Sequence, residues 1–230
     1  MKLSFIVTSS VLAFMANAAS AATVQLTDIS ATWLNTVGGA AVNTINNGSL
    51  TPSLRWGTGN SGQSGYDLVI DSGASAMPGE TFTLGSFTHI NRPINAGTSI
   101  SSTELDIVGD IWLDGVLEMA DAKFSFSFLH NETSNTGGGN CCDDIVMTSL
   151  LNDTSVFSVG GVDYTLSIAG FFQNGVFNSV FISPEGGSTQ GQVMASFSSE
   201  VPPVPLPAAG WLLLGGLGAM GVASKRRKAA

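Results

Sequence analysis

From Leu105 to Asp114 apolar and acidic residues alternate, with Leu105, Ile107, Ile111 and Leu113 on one parity and Asp106, Asp110 and Asp114 on the other. Successive side chains of an extended backbone point to opposite sides, so this period of two describes a strand with one face on a core and the other in water. Lys123-Phe124-Ser125-Phe126-Ser127-Phe128 repeats the pattern with aromatic and hydroxyl groups. Between residues 22 and 200 no useful length of sequence carries the period of about 3.6 that marks an amphipathic helix. Further strand candidates run from Thr23 to Trp33, Tyr66 to Ile70, Glu80 to Phe87, Ile145 to Leu150, Val162 to Phe171, Val176 to Ile182 and Gln192 to Phe197. Clusters of Gly, Asn, Ser and Pro separate them, as turns require. About nine short strands joined in this way predict an all-β chain, an antiparallel β-sandwich of jelly-roll-like type. The glycine-rich stretch Thr133 to Asn140 reads as a surface loop of that domain, not as a boundary.

Both ends of the chain depart from this pattern. Met1-Lys2 precedes an apolar run from Leu3 to Ala16, and Ala19-Ser20-Ala21 places small residues where a signal peptidase reads. Residues 1–21 are therefore expected to be a secretory signal, with the exported chain starting near Ala22. At the other end, Val201-Pro202-Pro203-Val204-Pro205-Leu206-Pro207 holds four prolines in seven residues and reads as an extended spacer. The apolar run from Ala208 to Ala223 would span about 24 Å as a helix, slightly less than the roughly 30 Å hydrocarbon layer. Lys225-Arg226-Arg227-Lys228 can snorkel to cover the deficit, and these cations belong on the cytoplasmic side of an inner membrane. The two ends thus agree on a topology: residues 22–200 form an ectodomain on the far side, and residues 201–230 comprise a proline-rich motif, a transmembrane helix and a basic tail.

Charge follows the same division. Five of the eight basic residues lie at the ends, so residues 22–200 carry 17 acids against Arg55, Arg92 and Lys123, a net charge of −14. Nucleic acid and anionic lipid are disfavoured as partners of that part.

Two motifs resemble known families. Val204-Pro205-Leu206-Pro207-Ala208, followed by Gly210-Trp211-Leu212-Leu213-Leu214-Gly215-Gly216 and the basic cluster, resembles a VPLPA-CTERM signal, a variant of the PEP-CTERM sorting domains of Gram-negative bacteria. That resemblance implies processing by an exosortase and transfer to the cell surface or matrix, with Val204, Pro205, Leu206, Pro207 and Ala208 as a recognition element for another enzyme. In the middle of the chain, Thr88, His89 and Asn91 fit the Thr-His-x-Asn signature of the THxN family of PEP-CTERM proteins, which is related to choice-of-anchor ectodomains. Arg55-Trp56-Gly57 and Ser64-Gly65-Tyr66 resemble elements of the same group. The family implies location and architecture and supplies no catalytic residue.

Few residues suggest chemistry. His89 and Asn91, two apart on one face of a strand, could hold a ligand or metal together, but fixing the turn before Pro93 through nearby backbone groups is the expected role. His130, the second histidine, belongs to no metal-ligand spacing such as HxxEH or CxxC, and no GxSxG nucleophile motif is present. Adjacent Cys141 and Cys142, in an exported chain with no other cysteine, leave a vicinal disulfide, an intermolecular bridge and free thiols open. Asp143, Asp144 and Asp153, or the row Asp106, Asp110 and Asp114, offer oxygens to calcium, although no DxDxDG loop appears; a solvated acidic face is the alternative.

The expectation is therefore an exported surface or matrix protein, not an enzyme, with a structural or adhesive role. The sorting resemblance implies a link to exopolysaccharide, biofilm or floc formation. Its partners are signal peptidase and an exosortase, the inner membrane through residues 208–223, and exopolysaccharide. A carbohydrate-binding module, with Trp33, Trp56, Trp112 and Tyr66 as its exposed aromatics, and then a glycan-acting hydrolase are the alternatives.

Overall fold

The computed structural model describes residues 22–133, 143–151 and 156–200. Among them the chain is entirely β, arranged as two antiparallel sheets. The first sheet runs, in spatial order, Val180–Ser183 (β13), Asp144–Leu150 (β9), Val116–Asn131 (β8), Ile100–Leu113 (β7), Val24–Gly38 (β1) and Ala74–Ala76 (β5). The second runs Val156–Val159 (β10), Val162–Gln173 (β11), Gly187–Glu200 (β14), Thr81–Asn91 (β6), Ser64–Ile70 (β4), Ser53–Trp56 (β3) and Asn43–Ile45 (β2), with Val176–Asn178 (β12) paired to β11. Each stretch with two-residue alternation falls on a strand except at its ends, where Thr23, Glu80 and Asp114 lie just outside, and Val176 to Ile182 is divided between β12 and β13.

Alternation decides which face each strand buries. Leu105, Ile107 and Ile111 of β7 are interior, as are Phe124, Phe126 and Phe128 of β8, which pair with Ile107, Leu105 and Thr103. On the polar parity of the same hairpin, exposed Lys123 binds Asp106 at 2.6 Å and buried Ser125 donates to Asp106 at 2.6 Å. Two residues, Asp114 and Gly115, connect β7 to β8 at positive φ of 49° and 82°, and Asn174-Gly175 repeats this geometry between β11 and β12. Such turns match the twist of the flanking strands, and only Gly, Asn and Asp adopt them at low cost.

The two sheets meet through aromatic rings. Phe87 of β6 lies 5.8 Å from Phe128 of β8 and 5.0 Å from Phe181 of β13, and Trp33 of β1 lies 5.6 Å from Tyr66 of β4, all between ring centroids. Contacts at these separations, with tilted or edge-on rings, favour the interlocking of the two layers beyond the area they bury. The core is thus sandwich-like, with its largest side chains contributed by both sheets. Trp33, Trp56 and Tyr66 belong to that core, so three of the four aromatics proposed for a sugar-binding row face inward. Trp112 is half-buried and donates from Nε1 to Thr27 Oγ1 at 3.0 Å.

Residues 1–21 and 201–230, which include Val204 to Ala208, lie outside the described residues, as do Cys141, Cys142 and Asp153. No helix among the described residues is long and apolar enough to cross a membrane.

Candidate functional site

At one end of the sandwich the inward stripes of two facing strands change from apolar to polar. On β6 the stripe runs Phe87, His89, Asn91; on β8 it runs Phe124, Phe126, Phe128, His130. A period of two commits each histidine to the interior once the preceding phenylalanines are there. Asp144 opens β9 on the inward parity it shares with Val146, and its side chain is fully buried. These three residues come from three strands in two sheets, and their ligand atoms lie within 4.8 Å of one another.

The contacts in this cluster are specific. His89 Nε2 is 3.7 Å and His130 Nε2 is 3.6 Å from Asp144 Oδ2, while His130 Nε2 is 3.3 Å from Glu132 Oε2. The first two separations exceed the roughly 2.7–3.2 Å of an N–H···O hydrogen bond. Among the described residues, neither ring nitrogen of His89 has a hydrogen-bond partner, and neither does Asp144 Oδ2, Glu132 Oε1 or either oxygen of Glu185. Buried polar atoms are nearly always paired, so so many unpaired atoms converging on one place need an explanation.

The surrounding residues hold these groups in place. The Tyr66 hydroxyl is 2.8 Å from His130 Nδ1, which aims Nε2 at the carboxylates. The Thr133 amide donates to Asp144 Oδ1 at 3.1 Å, leaving Oδ2 toward the imidazoles, and Ser99 Oγ donates to Glu132 Oε2 at 2.9 Å. Trp56 stacks on His89 with ring centroids 5.9 Å apart and meets His130 edge-on at 5.1 Å. Asn91 donates from Nδ2 to the Ser183 carbonyl at 2.9 Å, so it ties β6 to β13 of the opposite sheet and not to a neighbouring turn. Thr88 lies on the outward parity of β6 and is half-buried.

Sequence elements that are distant in the chain therefore meet here. Arg55 pairs with Asp67 at 2.6 Å and donates to the Tyr66 carbonyl at 3.0 Å, bracing the strand that carries the tyrosine. A Cβ on Gly65 would stand 2.5 Å from the Leu54 carbonyl oxygen, so only glycine lets β3 and β4 approach this closely beside Tyr66. Ser64 Oγ accepts from the Arg92 amide at 3.1 Å and fixes the chain just past Asn91.

Electrostatics follow from burial among like groups. Burial, assisted by His130, holds His89 well below the ordinary imidazole range, so it stays neutral. Burial, then Glu132 and Glu185, push Asp144 up to about 8 against the opposing Thr133 amide bond. Burial, then Asp144 and Glu132, keep the Tyr66 phenol protonated well above its usual range. Burial and Glu132 also raise Glu185.

The acids proposed to bind calcium are arranged differently. Asp144 faces two imidazoles, and Asp143 lines an open groove of about 520 Å³ together with Gln173, Asn178, Ile182 and Thr189. Asp106 is bound to Lys123, Asp110 accepts from the Asp121 amide at 3.0 Å, and Asp114, in the turn after β7, accepts from the Thr23 amide at 2.8 Å. Neither protein-family models nor curated proteins match the chain.

Replacing Tyr66 by phenylalanine removes one hydroxyl and leaves His130 Nδ1 buried without a partner. The expected loss is about 1–3 kcal/mol of unfolding free energy, measured by urea titration with the slope unchanged.

Proposed function

We propose that this chain is an exported protein of the cell surface or extracellular matrix, with a structural or adhesive role and no catalysis of its own. The observation that carries this reading is the layout of the chain: an acidic β-rich body of net charge −14 between a signal-like amino end and a proline-apolar-basic carboxyl end. In this reading residues 1–21 are removed by signal peptidase, residues 208–223 hold the precursor in the inner membrane, and an exosortase acts at Val204 to Ala208. The body is then a jelly-roll-like sandwich of the THxN type. Convergence of Arg55-Trp56-Gly57, Ser64-Gly65-Tyr66 and His89 with Asn91 around one buried locus supports that family assignment, because three separate signatures serve one piece of structure. The resemblance extends the role to exopolysaccharide or biofilm. A sugar-binding face would have to be built without Trp33, Trp56 and Tyr66, which are interior.

An epitope inserted at the exposed Asp114-Gly115 turn tests this in cells producing the full chain. Protease added to intact cells is expected to remove the epitope. Deleting residues 201–230 should leave the epitope protected until the outer membrane is opened. An epitope that stays protected inside spheroplasts would refute export.

A further inference from the structure

We infer that His89, His130 and Asp144 bind one divalent transition-metal ion of the zinc type, with Glu132 beside His130 at the edge of the site, and that this ion fastens the two sheets together. The ion's ligands would come from β6 in one sheet and from the paired strands β8 and β9 in the other, so binding joins β6 to a sheet with which it shares no ladder.

Spacing is the first support. Ligand atoms about 2.0–2.2 Å from a tetrahedral ion stand about 3.3–3.6 Å apart. The two separations within the trio are 3.6 and 3.7 Å, too long for good hydrogen bonds and suited to atoms that share an ion.

The second support is the set of unpaired atoms. His89 is fully buried, and neither of its ring nitrogens has a hydrogen-bond partner among the described residues. A histidine serving only to fix a turn would bond at least one neighbour, and this one instead points an unpaired nitrogen at an unpaired carboxylate oxygen. Glu132, Asp144 and Glu185 also converge within 4.8 Å, an assembly that a cation would neutralise.

Orientation is the third. Metal-bound imidazoles characteristically engage their other ring nitrogen with a partner, which fixes tautomer and ring plane. Tyr66 does this for His130, whereas His89 is oriented by stacking on Trp56 and not by a bond from its other nitrogen. Ser99 and the Thr133 amide play the same part for Glu132 and Asp144.

Donor chemistry selects the ion. Calcium and magnesium prefer shells of oxygen, and two imidazoles among three donors disfavour both. Imidazole with carboxylate suits zinc and its divalent neighbours.

The test uses the full chain, purified from an export-competent host without a histidine tag or chelator. Elemental analysis is expected to find about one zinc per chain. After chelation, returning Zn²⁺ should raise Tm by about 10 °C at saturating excess, and Co²⁺ should produce the visible d–d absorption of a four-coordinate site. Calcium and magnesium should do neither. His89→Gln and His130→Gln should each weaken Zn²⁺ binding at least about 100-fold, and Tyr66→Phe about 10–100-fold. The unmodified protein decides the matter even if a variant fails to fold. If it takes up neither Zn²⁺ nor Co²⁺, or gives the same Tm shift with Ca²⁺, the site is not a zinc-type centre. Undiminished affinity in folded histidine variants would equally overturn the assignment.

Discussion

Truncating Phe87 to alanine is expected to lower the unfolding free energy by about 3–5 kcal/mol, with a fall in Tm of roughly 10 °C. Phe87 is fully buried on β6, and its ring centroid lies 4.9 Å from Tyr66, 5.7 Å from Phe171, 5.8 Å from Phe128 and 5.0 Å from Phe181. Its neighbours therefore come from both sheets, and none can close the space without giving up contact with another. The resulting cavity adds to the lost transfer energy, which is why a central aromatic costs more than its surface area suggests. Stability as a whole is on the order of 5–15 kcal/mol, so one residue removes a large fraction of it. Phe177→Ala is the control: that ring is 50% exposed, and its loss should change stability by less than about 0.5 kcal/mol. Urea titration of both variants separates the two cases, and equal effects would mean that the sheets do not meet through Phe87.

The difference between these phenylalanines shows what could be read in advance. Long strands announce themselves because several residues repeat the period of two, as Phe124, Phe126 and Phe128 do beside Leu105, Ile107 and Ile111. Asn43–Ile45, Ser53–Trp56, Ala74–Ala76 and Val156–Val159 contain three or four residues each, too few for a period to show, and pairing to longer neighbours defines them. Asp114 continues the acidic parity of β7 in sequence, yet it occupies the turn at a φ of 49°, so Asp106, Asp110 and Asp114 do not form one row.

The buried cluster was half legible. Continuing each phenylalanine stripe by two residues reaches His89 on β6 and His130 on β8, and that continuation is a signal of burial that spacing motifs do not use. Motifs such as HxxEH work because one helix presents both ligands. Here the ligands are spread over three strands, and only the pairing of β8 with β9 and the facing of β6 across the core bring Asp144 to both imidazoles. No local pattern encodes that meeting. What the sequence does carry are the supports, Trp56, Tyr66 and Asn91, which stand within recognisable motifs and turn out to surround the cluster.

In chelator, replacing His89 by leucine should raise stability by about 1–3 kcal/mol, and in excess Zn²⁺ the same variant should be the less stable of the two proteins. Burial keeps the imidazole neutral, so the substitution removes no charge. It does remove two buried nitrogens that lack hydrogen-bond partners among the described residues, and it replaces them with apolar atoms of similar volume beside Trp56 and Tyr66. Eliminating an unsatisfied buried group is favourable by about that amount. Loss of the stacking contact with Trp56 offsets only part of the gain. With Zn²⁺ at about a thousand times the parent's dissociation constant, the parent gains about 4 kcal/mol through binding, while leucine, which offers no donor and should weaken binding at least about a thousandfold, lets the variant gain under about 0.5 kcal/mol. The order of the two proteins therefore reverses with the ion, a result that simple packing cannot produce, since packing is the same with and without metal. If leucine proves destabilising by the same amount under both conditions, His89 acts through its contacts alone. A side chain that is costly by itself and stabilising with its ligand is what a binding site embedded in a hydrophobic core entails, because the groups that receive the ion must stay unpaired until it arrives.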